Sequence, residues 1–535
     1  MTGNGLYGFF CKALVYILIA VLSVLTFFSL ISTTYVDHYD RVYYTGDSPF
    51  FHALMISALV AAVYFLHERM HFRVTDRVLI ASLVFVTLLT AVFIALTNLS
   101  PRFDQQAVRA VAGNLIYGIK DDFRPGGYAE IYPYNHGIIL LYYVILKIAG
   151  YENYIVLQFI NLGCMVCTGI ALYRIMRRLI PCYREVSLGL IFFMPYWGYA
   201  AFLYGNIPGF CLGMWALDFA LRYIDGGGFG MALLSGIFMA AGLRLKENFA
   251  ILAIAIAVLA VCEAVRSKKI RNLLLIAAMA FFIWVSGAVS NLIFEAIADY
   301  TPSKGIPSLP YIAMGLHEHE ERGAGWHDNY PENTYEEINH DMDLSTKLAK
   351  EDILESLNNF SAHPQYMAGF FVRKISSMWC DPTYYSWTML QGRDDRWDRA
   401  FLMPLTPMVY GFMNVFQTYL SFFSLCWFIF HRKDTDFSRL FFGLFFLGGF
   451  LCHLLWEAQC QYALFYAMGL VTYSVAGIMD VCRMIRSWEK RRLLTAAVII
   501  IAAGLFLSIP MISSTLTLNR DDARYREYIV TGSMR

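Results

Sequence analysis

The sequence predicts an all-α polytopic membrane protein of about thirteen transmembrane helices. Three observations carry that expectation. Of 535 residues, 58% are hydrophobic and only 16% are charged, whereas soluble domains carry about a quarter charged residues. Apolar runs of roughly 17–25 residues, the length of a membrane-crossing helix, recur along the chain. Lysine and arginine gather in particular short loops, the asymmetry that orients such helices. Mean hydropathy is +0.49. The net charge of +1 points to no nucleic-acid partner. The 11 cysteines form no CxxC pair and lie mostly in apolar runs, so they read as small core residues and not as a disulfide framework.

The expected spans cover roughly residues 11–34, 50–66, 78–97, 153–173, 185–204, 209–223, 230–244, 248–266, 272–298, 402–430, 437–456, 460–482 and 491–513. The first run is longer than a signal-peptide core and lacks a small-residue cleavage site, so it reads as a retained helix. Basic segments follow several spans: Arg69 to Arg77, Arg174 to Arg184, Arg266-Ser-Lys-Lys-Ile-Arg, His431-Arg-Lys and Arg483 to Arg492. The positive-inside rule puts them in the cytoplasm. The loops 98–133 and 299–400, parts of a membrane domain of residues 1–513, and the tail 514–535 then lie outside. This arrangement closes only if the apolar stretch 134–150 is interfacial or re-entrant. Otherwise Arg174-Ile-Met-Arg-Arg would be external.

The external loops carry helices of their own. Residues 105–117 place Ala107, Val108, Val111, Leu115 and Ile116 on one side of a surface helix. Residues 343–358 put Leu344, Leu348, Leu354 and Leu357 at helical spacing. Residues 365–379 mix Phe370, Phe371, Ile375 and Trp379 with Arg373 and Lys374, a pattern suited to the headgroup layer.

In a mostly apolar chain, chemistry belongs to these polar loops. Asp104 opens the first of them at the membrane–water boundary. It reads either as a helix N-cap or as a general base or metal ligand; Arg102 beside it is a substrate-binding candidate. Glu130, Tyr132, Asn135 and His136 lead into the 134–150 stretch and are candidates for shaping a sugar-sized pocket; an interfacial aromatic belt is the alternative. Arg244 and Lys246 are external cations by the loop assignment, suited to a lipid phosphate or to pairing with Glu247. His317 and His319 form an HxH, which with Asp104 supplies the candidate ligands for a divalent metal such as Mg or Mn. A closed metal site needs more ligands than that pair, and a solvated acidic loop is the alternative. Trp326, after Gly323 and Gly325, suits a platform for a sugar ring. Glu457 and Gln461, four apart, share a helix face, with Tyr462 next to them; a structural hydrogen bond between helices is the alternative there.

In order along the chain, Phe103-Asp104-Gln105, Tyr132-Pro133-Tyr134-Asn135-His136-Gly137, Tyr204-Gly205-Asn206-Ile207-Pro208-Gly209, Leu245-Lys246-Glu247-Asn248, Met314-Gly315 and Trp456-Glu457 with Tyr462 resemble the glycosyltransferase family 39-like membrane enzymes of the GT-C superfamily. That group includes the protein O-mannosyltransferases and the aminoarabinose transferase of lipid A. The resemblance spans about residues 80–480 and implies a GT-C-type helical bundle in a bacterial plasma membrane. It implies a sugar donor on polyprenyl phosphate, transfer on the extracytoplasmic side to a glycan, lipid or protein acceptor, and inversion at the anomeric carbon. Asp104 would then be the catalytic carboxylate, and Lys246, with Arg244, would neutralise the leaving phosphate. The chain departs from the mannosyltransferase pattern at Gln105, where an acidic pair is usual, and in having two spans before the one that leads to Asp104. No Rossmann or Walker A motif is present, as a lipid-linked donor requires none. A transporter or flippase for lipid-linked saccharides, and an O-antigen-ligase or polymerase-like protein, are the competing functions.

Overall fold

The structure is a computed structural model that describes residues 3–487 except 301–304, 319–321 and 434–435. The described residues are an α-helical integral membrane protein. Nine of their helices are long and apolar enough to cross a membrane: Tyr7–Ile31, Pro49–His67, Asp76–Thr97, Ile155–Leu179, Glu247–Ser267, Ile270–Ala298, Asp398–Phe430, Phe437–Leu455 and Cys460–Arg486. The expected span 491–513 and the tail 514–535 lie outside the described residues, as does His319.

Local chemistry accounts for the element ends. Thr75 caps the Asp76–Thr97 helix by accepting from the Val78 N–H, and Asn98 closes it in the left-handed region. Ser48 caps Pro49–Tyr64 in the same way, with Pro49 in the first turn. The first helix stops at Ile31, short of the expected 34. Ser32–Val36 pairs instead with Val42–Gly46 as an antiparallel hairpin, so the fold is not wholly α-helical. Threonine and tyrosine favour this extended geometry, and the hairpin is pinned to the large loop by Thr34 N–H on the Cys380 carbonyl at 2.9 Å.

The stretch 185–204 is broken into Tyr183–Ile191, Met194–Gly198 and a short turn through Ala201. Pro195 cannot donate to the carbonyl four residues back; the Trp197 indole N–H takes the Ile191 carbonyl at 2.7 Å instead. The Asn161 amide donates to the Ala200 and Phe202 carbonyls, at 3.2 and 2.9 Å, and Gln105 Oε1 accepts the Leu203 N–H at 3.0 Å. Irregular backbone among membrane helices survives because side chains satisfy its polar groups.

The bundle has two chemically different ends. At one, the basic turns are tied by ion pairs: Arg184–Asp76 at 2.8 Å, Arg178 and Arg222 each 2.7 Å from the buried Asp218, and Arg266–Asp436 at 2.8 Å. The other end carries the helix Asp104–Ile116, the turn Tyr128–Ile131 and the large loop. Helix His136–Ala149, about 21 Å long at 1.5 Å per residue, begins and finishes at this second end. Asn135 before it bonds Tyr204, and Tyr154 after it donates to the Asn98 carbonyl.

Within the large loop the expected helices form as Met342–Ala362, capped by Asp341, and Pro364–Trp379. Their faces reverse the expectation. Leu344, Leu354 and Leu357 are exposed, while Ser345, Ala349 and Phe360 pack inward. Of the residues expected to face the headgroup layer in Pro364–Trp379, Phe370, Lys374 and Trp379 are buried in the protein, and Arg373 pairs with Glu318 at 2.7 Å. The Lys374 ammonium is accommodated inside by the Gly315 carbonyl.

Candidate active site

The helix Asp104–Ile116 is anchored by Val108, Val111, Ala112 and Leu115, all buried; each valine or leucine contributes about 1.5–3 kcal/mol. Asp104 is its first residue and not its cap. The N-cap is Phe103, held at φ 48°, an uncommon conformation for a residue with a side chain. The Asp104 carboxylate is therefore released from local capping, while the helix N-terminus still favours its charge. It is accessible to solvent, yet protein surrounds it on most sides, so it occupies a recess. Burial there pushes its carboxyl above the usual range, and Lys246, the Tyr204 hydroxyl and His327 pull the other way.

Two glycines bring Lys246 to this place. A Cβ on Gly137 would lie 1.9 Å from the Arg244 carbonyl oxygen, and one on Gly205, at φ +80°, would lie 2.2 Å from that of Leu245. Only bare backbone permits these approaches. The extended Lys246 then projects its ammonium over the Tyr204 ring, 3.9 Å from the centroid, a cation–π contact. Lys246 is almost fully buried, which lowers it to about 8 against the opposing pull of Asp104 and Glu457. Its acidic partners are thus Asp104 and Glu457 ahead of the neighbouring Glu247.

The rest of the wall is aromatic and acidic. Asn135 donates to the hydroxyls of Tyr128 and Tyr204, both at 3.0 Å. Tyr132 donates to Glu332 at 3.0 Å, and His327 Nε2 lies 3.3 Å from the same oxygen. Tyr462 donates to Glu457 at 3.1 Å. Trp456 stacks on Tyr311 with centroids 5.6 Å apart and planes at 13°. Burial raises Glu457, and His327, Tyr462 and Lys246 oppose the rise.

Of the sequence candidates, the structure brings together Asp104, Lys246, Tyr132, Asn135, Glu457 and Tyr462. Others it places elsewhere. Arg102 is buried against the Gln391 and His38 carbonyls. Glu130 accepts the Gly126 N–H in its own turn at 3.3 Å. His136 bonds the Ala129 carbonyl and packs among Phe123, Phe294 and Tyr300. Arg244 lies electrostatically against Glu247 and His136. His317 meets Tyr330 edge-on at 4.9 Å. Trp326 is no platform: it is 2% exposed, with its N–H on Ser377. Glu457 sits in the break between two helices and Gln461 in the first turn of the next, bonded to Gln459, so they share no helix face. Gln105 is turned away into a junction where it accepts from Leu203 and Arg393.

Sequence reasoning missed His327, Glu332 and Tyr311. Their one signal was position, in a polar loop dense with aromatic residues. Among the described residues no group of three or more histidines, cysteines or acids is placed to hold a metal. A small crevice lined by Leu83, Met165, Leu172, Trp197 and Met468 carries no carboxylate, histidine, lysine or arginine. No protein-family model, curated protein or solved structure matches the chain.

Proposed function

We propose that the protein is a membrane glycosyltransferase that moves a sugar from a polyprenyl-phosphate donor to an extracytoplasmic acceptor. The observation that carries this reading is the pairing of an accessible carboxylate, Asp104, with a buried cation, Lys246, in one aromatic-walled recess at the loop-rich end of the bundle. Asp104 takes the proton of the acceptor hydroxyl as the hydroxyl attacks the anomeric carbon. Lys246 compensates the charge that develops on the departing phosphate. Tyr311, Trp456 and the neighbouring tyrosines hold the sugar and acceptor in line, so that positioning supplies the remaining acceleration. A family 39-like GT-C bundle accommodates this. Twelve described passes, counting the broken stretch 185–204 and the shorter helices Asn206–Ile224 and Phe229–Leu245, keep the basic turns between them in the cytoplasm of a bacterial cell. Charge gathered at the two ends of the bundle favours an enzyme over a transporter, which needs a polar path between them.

The test compares envelope glycans and lipid-linked sugars in cells with wild-type protein, without it, and with Asp104→Asn. Loss of one sugar branch and accumulation of its lipid-linked donor are expected in the second and third cases, with transfer by Asp104→Asn in vitro reduced about 10²–10⁴-fold. Unchanged glycans in cells lacking the protein would sink the proposal.

A further inference from the structure

His327 belongs to none of the sequence motifs that resemble a known family, yet it has the most elaborate support of any group in the recess. Its Nε2 faces Glu332 Oε1 at 3.3 Å, and the same oxygen accepts the Tyr132 hydroxyl at 3.0 Å. Its backbone carbonyl is held by Arg322. With Nε2 engaged, Nδ1 makes no protein hydrogen bond among the described residues, and the side chain is 29% exposed. A third residue thus orients the imidazole while its second nitrogen stays open, the arrangement that presents a proton to a ligand.

The charges around it are unequal. Glu332, Glu457 and Asp104 all act on His327, and Lys246 and His327 both act on Asp104 and on Glu457. Two cations from separate segments therefore flank the same pair of carboxylates. A leaving phosphate gains a second negative charge as the glycosidic bond breaks, and Lys246 alone balances only one.

We propose that His327, held by Glu332, is a second phosphate-binding group, a cationic hydrogen-bond donor to the leaving polyprenyl phosphate. This rests on the transferase reading and assigns one role within it. The C1–O bond to phosphate breaks, and its electron pair leaves on the phosphate oxygen. The acceptor oxygen forms the new C1–O bond and its proton passes to Asp104. His327 Nδ1–H donates a hydrogen bond to the departing oxygen, and its charge with that of Lys246 balances the phosphate dianion, whose second pKa of about 6 leaves the proton on the imidazole. Proton exchange with water restores Asp104. Burial alone would lower the imidazole, but Glu332 and Glu457 outweigh it and raise it to about 9, so the proton is in place at neutral pH and is lost as pH rises through that value.

The test measures binding of polyprenyl monophosphate to the purified full chain in detergent between pH 7 and 10, by thermophoresis. His327→Gln is expected to bind about tenfold more weakly at pH 7 and to lack the part of the wild-type loss that occurs near pH 9. Both proteins retain Lys246, so the difference between their profiles reports His327. Glu332→Gln, which keeps the shape of the wall, is expected to move that loss about two pH units lower, toward the ordinary imidazole value. Wild-type profiles in both variants would overturn the role of His327 and leave the transferase reading standing. Absence of binding by wild-type protein at every pH would overturn both.

Discussion

At the scale of single residues, the recess holds a cation against the cost of desolvation. Lys246 is buried with its charge, opposed by desolvation and supported by Tyr204, Asp104 and Glu457. Its ammonium is held to about 8 in the fold but near 10.4 in an unfolded chain. Between those values the unfolded chain binds more protons, so stability rises with pH across that window. Lys246→Met should remove the rise and raise the melting temperature at pH 7, a gain of order 1–3 kcal/mol, while sugar transfer falls sharply. A lowered melting temperature at pH 7, or a retained pH dependence, would show that Lys246 is not held against a desolvation penalty. Asp104 and Lys246 were legible in the sequence because a charge beside an apolar run is conspicuous. His327 and Glu332 were not, because they lie in a loop where charge is ordinary.

At the scale of elements, close backbone contact positions the cation. Gly205→Ala puts a Cβ against the Leu245 carbonyl at a positive φ, and the turn before Lys246 has to move. A loss of about 2 kcal/mol or more in stability, together with a fall in polyprenyl phosphate binding, is expected. Gly163→Ala, inside a helix where a Cβ meets nothing within 4 Å, should lower neither. Equal melting temperatures and affinities for the two variants would remove Gly205 from the site's scaffold. The break in 185–204 belongs to this scale as well. Its apolar composition reads as one span, but Pro195 with Trp197, Asn161 and Gln105 turns it into an irregular passage. Gln105, which looked like a missing acid beside Asp104, is a neutral acceptor in that junction.

At the scale of the whole molecule, the two ends differ in charge, and the topology becomes testable. Cysteine placed at the exposed positions Glu355 and Lys268, with the exposed Cys167 and Cys452 changed to serine, should react differently with a membrane-impermeant maleimide on intact cells. Glu355→Cys is expected to label and Lys268→Cys only after lysis; labelling of Lys268→Cys on intact cells would invert the proposed orientation. The sequence by itself determined the membrane class and most helix positions. Hydropathy and charge are local properties, and a helix in lipid must satisfy its own backbone. Only the tertiary structure decided which loop residues meet. It buried Trp326, His136 and Arg102, turned Leu344, Leu354 and Leu357 outward, and brought His327 and Glu332 within electrostatic reach of Asp104. Those outcomes depend on carbonyls seated on glycines and on side chains that bond distant backbone. Convergence of that kind leaves no periodic trace along the chain.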